Sequence, residues 1–110
     1  MEINEELKGK IEKIQLLEQR MQMFLAQKQS FQTQLLEIEN ALTELGKVKE
    51  EAYKIVGNVM VLMPKEEIEK DLNNKKEIVN IRIKSLEKQE DSIKDDVSKL
   101  QEEVMKEMKE

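Results

Sequence analysis

Tyr53-Lys54-Ile55-Val56-Gly57-Asn58-Val59-Met60-Val61-Leu62-Met63-Pro64 is the one stretch of this 110-residue chain in which helical patterning stops, and it closes on the only proline in the sequence. Val, Ile and Tyr fit a pleated strand better than a helix, and Gly57-Asn58 is a two-residue pair of the kind that reverses a hairpin, because both residue types tolerate positive φ. The stretch reads as two antiparallel strands, Tyr53 to Val56 and Val59 to Met63. Eight of its first eleven residues are apolar, and they fall on both faces of the ribbon, Tyr53 and Ile55 on one side and Val56 on the other. An isolated hairpin is marginal in water, and its unpaired edges are templates for other strands. Tyr53, Ile55, Val56, Gly57, Asn58, Val59, Met60, Val61, Leu62 and Met63 are therefore expected to form an oligomerisation element.

Outward from the hairpin lie two arms of helical periodicity. In the first, Ile3, Leu7, Lys10, Ile14, Leu17, Met21, Phe24, Lys28, Phe31, Leu35, Ile38, Leu42 and Leu45 recur every 3.5 residues, and eleven of the thirteen are apolar. A repeat held over six heptads marks a left-handed coiled-coil seam. Asn4, followed by Glu5 and Glu6, is a helix start, since Asn caps free amides and acids suit the positive end of the helix dipole. This predicts a helix over about 4–51, with Gly9 and Gly46 as weak points. Between Met21 and Leu36 the only charge is Lys28 and most polar positions are Gln, which reads as a neutral solvated face. Beyond the hairpin, Pro64 suits the first turn of a second helix, with Glu66 and Glu67 after it. That helix is predicted over about 65–109, with a seam of Leu72, Lys76, Val79, Ile83, Leu86, Glu90, Ile93, Val97, Leu100, Val104 and Glu107. The arms match at about 45 residues, roughly 70 Å of helix. The fold class is mainly α: one domain over 1–110, a long antiparallel two-helix coiled coil joined by one β-hairpin, with the hairpin assembling between copies. Ile68, Ile78 and Ile81 lie off the seam near the hairpin and are expected to meet neighbouring chains. Antiparallel pairing permits two registers, and in both Lys28 and Glu90 fall in adjacent layers. We expect them to pair, and Lys10 with Glu107 likewise, at about 0.5–1 kcal/mol for a partly wet pair.

Composition excludes several classes. With 39% charged residues, 3% aromatic and three glycines, the chain has the make-up of long helices. It has neither cysteine nor histidine, so disulfides and the usual zinc sites are excluded. No apolar run approaches the roughly 18 residues that span a bilayer, and Met1 to Glu6 lacks the features of a signal peptide, which points to a cytoplasmic protein. A net charge of −5 has the wrong sign for gripping phosphates, so nucleic acid is not an expected partner. No nucleophile, metal-ligand or phosphate-loop spacing is present, and the carboxylates sit where nothing would shift them. The expectation is no enzyme, no cofactor and no metal.

At the end of the arms farthest from the hairpin lie Ile3, Leu7 and Ile11 from the first arm and Val104, Met105 and Met108 from the second. Ile3, Leu7 and Val104 fit the heptad and are also read as seam residues. Ile11, Met105 and Met108 do not, and suit an exposed patch in which flexible, polarisable methionine accepts many shapes.

The two equal arms and the central hairpin, with Tyr53, Lys54, Gly57, Asn58, Val59, Met60 and Val61 in a Tyr-Lys-x-x-Gly-Asn pattern followed by apolar residues, resemble the prefoldin family, and within it the beta subunit of archaeal type. The resemblance spans the whole chain, and the single hairpin is what matches beta rather than alpha. It implies a hexamer of two alpha and four beta subunits whose hairpins join into β-barrels, from which six coiled coils hang. It also implies an ATP-independent chaperone that holds unfolded or nascent proteins at the coiled-coil tips and delivers them to a group II chaperonin. The competing readings are a coiled-coil adaptor that oligomerises through its hairpin and presents one specific partner site, and a nucleic-acid-binding coiled-coil arm, against which the acidic charge counts.

Overall fold

The computed structural model of the chain describes residues 4–109, in the order α1 (Glu5–Leu45), β1 (Glu51–Val56), β2 (Val59–Pro64) and α2 (Lys65–Lys109). No helix among the described residues is long and apolar enough to cross a membrane. Asn4 starts α1 as its sequence suggests: its Oδ1 accepts from the Leu7 amide at 2.7 Å and its carbonyl from the Lys8 amide at 3.0 Å. The side chain thereby engages one of the helix's otherwise unpaired N-terminal amide groups, and the carbonyl opens the regular helical ladder.

α1 ends six residues before the expected boundary. Lys47 donates to the Glu44 carbonyl and Val48 to the Leu45 carbonyl, at 3.1 and 3.0 Å, so the last turn tightens to three-residue spacing. Gly46 makes room for this, since a Cβ there would stand 3.3 Å from the Thr43 carbonyl oxygen. Lys47–Glu50 then leave the helix although Lys and Glu are good helix formers, because Glu51 and Ala52 are needed opposite Pro64 and Met63 in the ladder. The hairpin is longer than its apolar stretch for the same reason. Pro64 ends β2 instead of entering the first turn of α2, and the Lys65 amide donates to the Glu50 carbonyl at 2.9 Å, tying the start of α2 to the entry of β1.

The turn has a narrower geometry than its residues allow. Gly57 takes φ +60°, and no non-glycine residue among those described has positive φ, so only the first turn position is left-handed. With Val56 paired to Val59, this is the arrangement of a II′ two-residue turn, whose twist suits the flanking strands.

The chain divides into two compact units. In the first, α1 as far as Gln29 lies with the residues from Lys84 onward. Leu7, Leu17, Leu86 and Ile93 are buried here, and Lys10 meets Glu107 while Lys28 meets Glu90, so the two helices run antiparallel. The second unit, Ser30–Ile83, holds the hairpin and the helix segments flanking it. Its buried residues are Leu45, Ile68, Val79 and Ile83. The Arg82 guanidinium sits over the Phe31 ring at 5.6 Å, and the Lys76 ammonium is 3.9 Å from Glu39, again in antiparallel order. Ile68 corrects its expected role: it is buried and, with Ala41, Leu45, Val48, Ala52 and Leu72, lines an apolar pocket under the hairpin, while Ile78 and Ile81 stay exposed. Once α1 stops at Leu45, Ile68 of α2 lines the space left beneath the hairpin.

Candidate functional site

The ladder sorts the hairpin's side chains. Tyr53 stands opposite Leu62 and Ile55 opposite Met60, on one face; Ala52 stands opposite Met63, Lys54 opposite Val61 and Val56 opposite Val59, on the other. All four large side chains of the first face are exposed, from 52% for Leu62 to 69% for Ile55. On the second face exposure is graded. Val56 and Val59 beside the turn are open, Val61 is partly open, and Ala52 and Met63 at the base are half-buried. Seven large apolar side chains therefore face water on a two-stranded ribbon, a concentration that monomers rarely carry.

One polar contact fixes the ribbon to the helix beneath it. The Lys54 ammonium donates to Asp71 Oδ2 at 2.7 Å, and Lys75 lies 3.6 Å from the same oxygen. The Lys54 hydrogen bond holds the Asp71 carboxyl below its ordinary value, with Lys75 adding to the effect. This tether and the apolar base under Ala52 were not foreseen from the sequence. Opposite charges seventeen residues apart across a turn carry no periodic signal.

At the other candidate site, residues divide by exposure. Met105 and Met108 are exposed, at 59% and 52%, on the last turns of α2. Leu7 is 5% exposed and belongs to the interior of its unit, which corrects its placement in an open patch: the heptad position wins. Val104 is half-buried on the seam, and Ile11, one position past Lys10, is half-buried as well because the apolar stripe is wider than one seam position. Ile3 lies outside the described residues. Lys10 stands among these groups, with Glu107 Oε1 at 2.5 Å, Glu103 Oε2 at 3.5 Å and Glu6 Oε1 at 3.7 Å. The hydrogen bond to Glu107, with Glu103 behind it, raises the Lys10 pKa.

The second seam pair is more enclosed than a partly wet one. Glu90 is 5% exposed; its Oε2 accepts from Lys28 at 3.1 Å and its Oε1 has no hydrogen-bond partner. Lys28 and Glu90 pair as their layers suggest.

An exposed apolar hairpin between two heptad helices is a distinctive layout, and residues 8–110 match the family profile described as prefoldin subunit. The chain belongs to the prefoldin family. It is 36% identical over 96 residues to prefoldin subunit beta of Archaeoglobus fulgidus, covering 86% of this chain and 83% of that one. Against prefoldin subunit beta of Caldivirga maquilingensis, identity is 30% over 105 residues, covering 94% and 87%. The crystal structure of the prefoldin beta subunit from Thermococcus strain KS-1 superposes with a TM-score of 0.89 at 25% identity, covering 96% of this chain and 94% of that one. Within the prefoldin family, a single hairpin between two long helices is thus an arrangement this chain has in common with a beta subunit.

Proposed function

We propose that this chain is a beta-type subunit of an ATP-independent prefoldin chaperone, acting by binding and not by catalysis, with the whole chain serving as one prefoldin-type domain. Four copies join two alpha subunits through their hairpins, which close into β-barrels. The assembly works in the cytoplasm, captures unfolded or nascent proteins at the coiled-coil ends and delivers them to a group II chaperonin. The observation that carries this reading is the hairpin, apolar and exposed on both faces, in a chain of this family. Met105 and Met108 supply the exposed adaptable surface for clients, with the half-buried Ile11 and Val104 as further positions and Ile3 added from the sequence. A few weak contacts per arm, multiplied over several arms, give avidity while each contact stays weak enough to release.

Deleting residues 1–8 and 103–110 tests the assignment. The deleted segments and the hairpin belong to different units, so the complex with an alpha subunit should keep its native mass while losing suppression of aggregation of two unrelated denatured proteins. Full protection of both clients by the truncated complex would refute client capture at these ends. Met23, exposed within the Gln-rich stretch of α1, favours the adaptor as the second reading. Under it, charges placed at Gln27 and Gln34 abolish binding of one specific partner and leave general aggregation suppression absent throughout.

A further inference from the structure

In the first unit the seam charges are segregated by sign. The α1 seam there runs Leu7, Lys10, Ile14, Leu17, Met21, Phe24 and Lys28, and the α2 seam runs Leu86, Glu90, Ile93, Val97, Leu100, Val104 and Glu107. None of the fourteen is exposed. Every charge on the first seam is a cation and every charge on the second an anion. Each cation finds its anion within this chain, Lys10 at Glu107 and Lys28 at Glu90.

Apolar heptad seams are interchangeable by shape, so an α1 seam would also accept another α1 seam. Charge changes that. Two α1 seams aligned in parallel set Lys10 on Lys10 and Lys28 on Lys28, and aligned antiparallel they set Lys10 against Lys28. Two α2 seams meet Glu90 and Glu107 with Glu90 and Glu107 in either direction. Within this unit no like-with-like arrangement supplies a counter-charge from the seam; on α2 the one further seam charge, Lys76, lies in the second unit. The cost is largest at Glu90, whose buried Oε1 already lacks a partner and whose Oε2 hydrogen-bonds only to Lys28 among the contacts the structure shows. We propose that this segregation is a pairing-specificity device: it directs every α1 onto an α2 and bars the arms of separate copies of this chain from associating like with like. A chain whose hairpin exposes seven large apolar side chains is brought close to other copies, which is where such a bar has its effect.

The chain has no cysteine, so introduced thiols report pairing cleanly. Leu17→Cys and Met21→Cys full-length chains are refolded together under oxidising conditions, and disulfide-linked dimer is measured for four seams. They are the native seam; the fully reversed seam (Lys10→Glu, Lys28→Glu, Glu90→Lys, Glu107→Lys); the mixed seam (Lys28→Glu with Glu90→Lys); and an apolar seam with Leu at all four positions. The mixed seam keeps both ion pairs within the chain but places both signs on each helix, so that antiparallel like-with-like pairing becomes matched. Native and reversed seams should give the same low yield, and mixed and apolar seams on the order of tenfold more. A mixed seam that folds with native helicity and stays at the native yield would overturn the proposal, as would a reversed seam whose yield rises with the mixed one. Because reversed and mixed seams both retain their pairs, the comparison stands even where the apolar seam misfolds.

Discussion

Val59→Asp is the most direct challenge to the hairpin's role in assembly, and its magnitude follows from the exposures. Val59 is 61% exposed in the isolated chain, so covering it by a neighbouring strand removes somewhat more than half of a valine from water. At about 1.5 kcal/mol for a whole valine side chain, that is about 1 kcal/mol of apolar burial lost in the variant. The larger effect is the carboxylate. Val59 pairs with Val56 and no cation stands opposite it, so the charge enters a low-dielectric interface bare, at about 3–5 kcal/mol. Together these weaken each hairpin's association by about 4–6 kcal/mol, roughly three to four powers of ten. Val61→Asp is the internal control. It is 39% exposed and stands opposite Lys54, which offers the new carboxylate a counter-ion, so about 2 kcal/mol, roughly thirtyfold, is expected. Sedimentation velocity over a dilution series, with and without an alpha subunit, reads the association, and far-ultraviolet circular dichroism reads whether the helices persist. Native mass for Val59→Asp at micromolar concentration would refute the hairpin as the assembly element. Equal effects at positions 59 and 61 would refute the part given to Lys54.

Lys28→Met leaves Glu90 as a buried carboxylate without its cation and should lower stability by about 3 kcal/mol in denaturant titration, whereas Lys28→Leu combined with Glu90→Leu should be neutral or stabilising. Asp71 is held below its ordinary value, so its contribution is in place above the unfolded carboxyl's pKa and is lost as pH falls through the lowered folded one; acid unfolding monitored at Tyr53 should lose that component in Lys54→Met. Lys10 has the opposite sign: its pKa is raised, so its contribution is present below the ordinary lysine value and disappears as pH climbs through the folded one, and Lys10→Met should flatten the alkaline limb. Gly9 has open space around its Cβ position within α1, so Gly9→Ala should stabilise by about 1 kcal/mol, while Gly57→Ala forces an L-residue to φ +60° and should cost about 1–2 kcal/mol, both read by thermal melts.

Most of the fold is written in periodicity. All twelve described positions of the first seam and all eleven of the second are buried or half-buried, because a heptad needs only local counting to place a side chain on the inward stripe. The α1 boundary was not legible. Lys47–Glu50 favour helix by composition, and what unwinds them is the ladder partner of Glu51 and Ala52, which no window of adjacent residues contains. Ile68 was misplaced for the same reason, since its burial depends on where α1 stops. At the candidate client site the sequence identifies the apolar residues of the two arm ends, but heptad position alone leaves Leu7 in both classes. Only packing assigns it to the interior and leaves Met105 and Met108 exposed.

No large side chain among the described residues is fully enclosed. Truncating one therefore opens a notch that water enters, not a sealed void, and the loss approaches the transfer free energy of the atoms removed without the added cavity penalty of a globular core. Seam positions should tolerate exchange among Leu, Ile, Met and Val at well under the cost typical of enclosed sites. Mutation can then accumulate along the arms while the heptad is preserved. Over evolutionary time such a chain is free to retune the composition of its arms, and the surfaces they carry, without having to rebuild its interior.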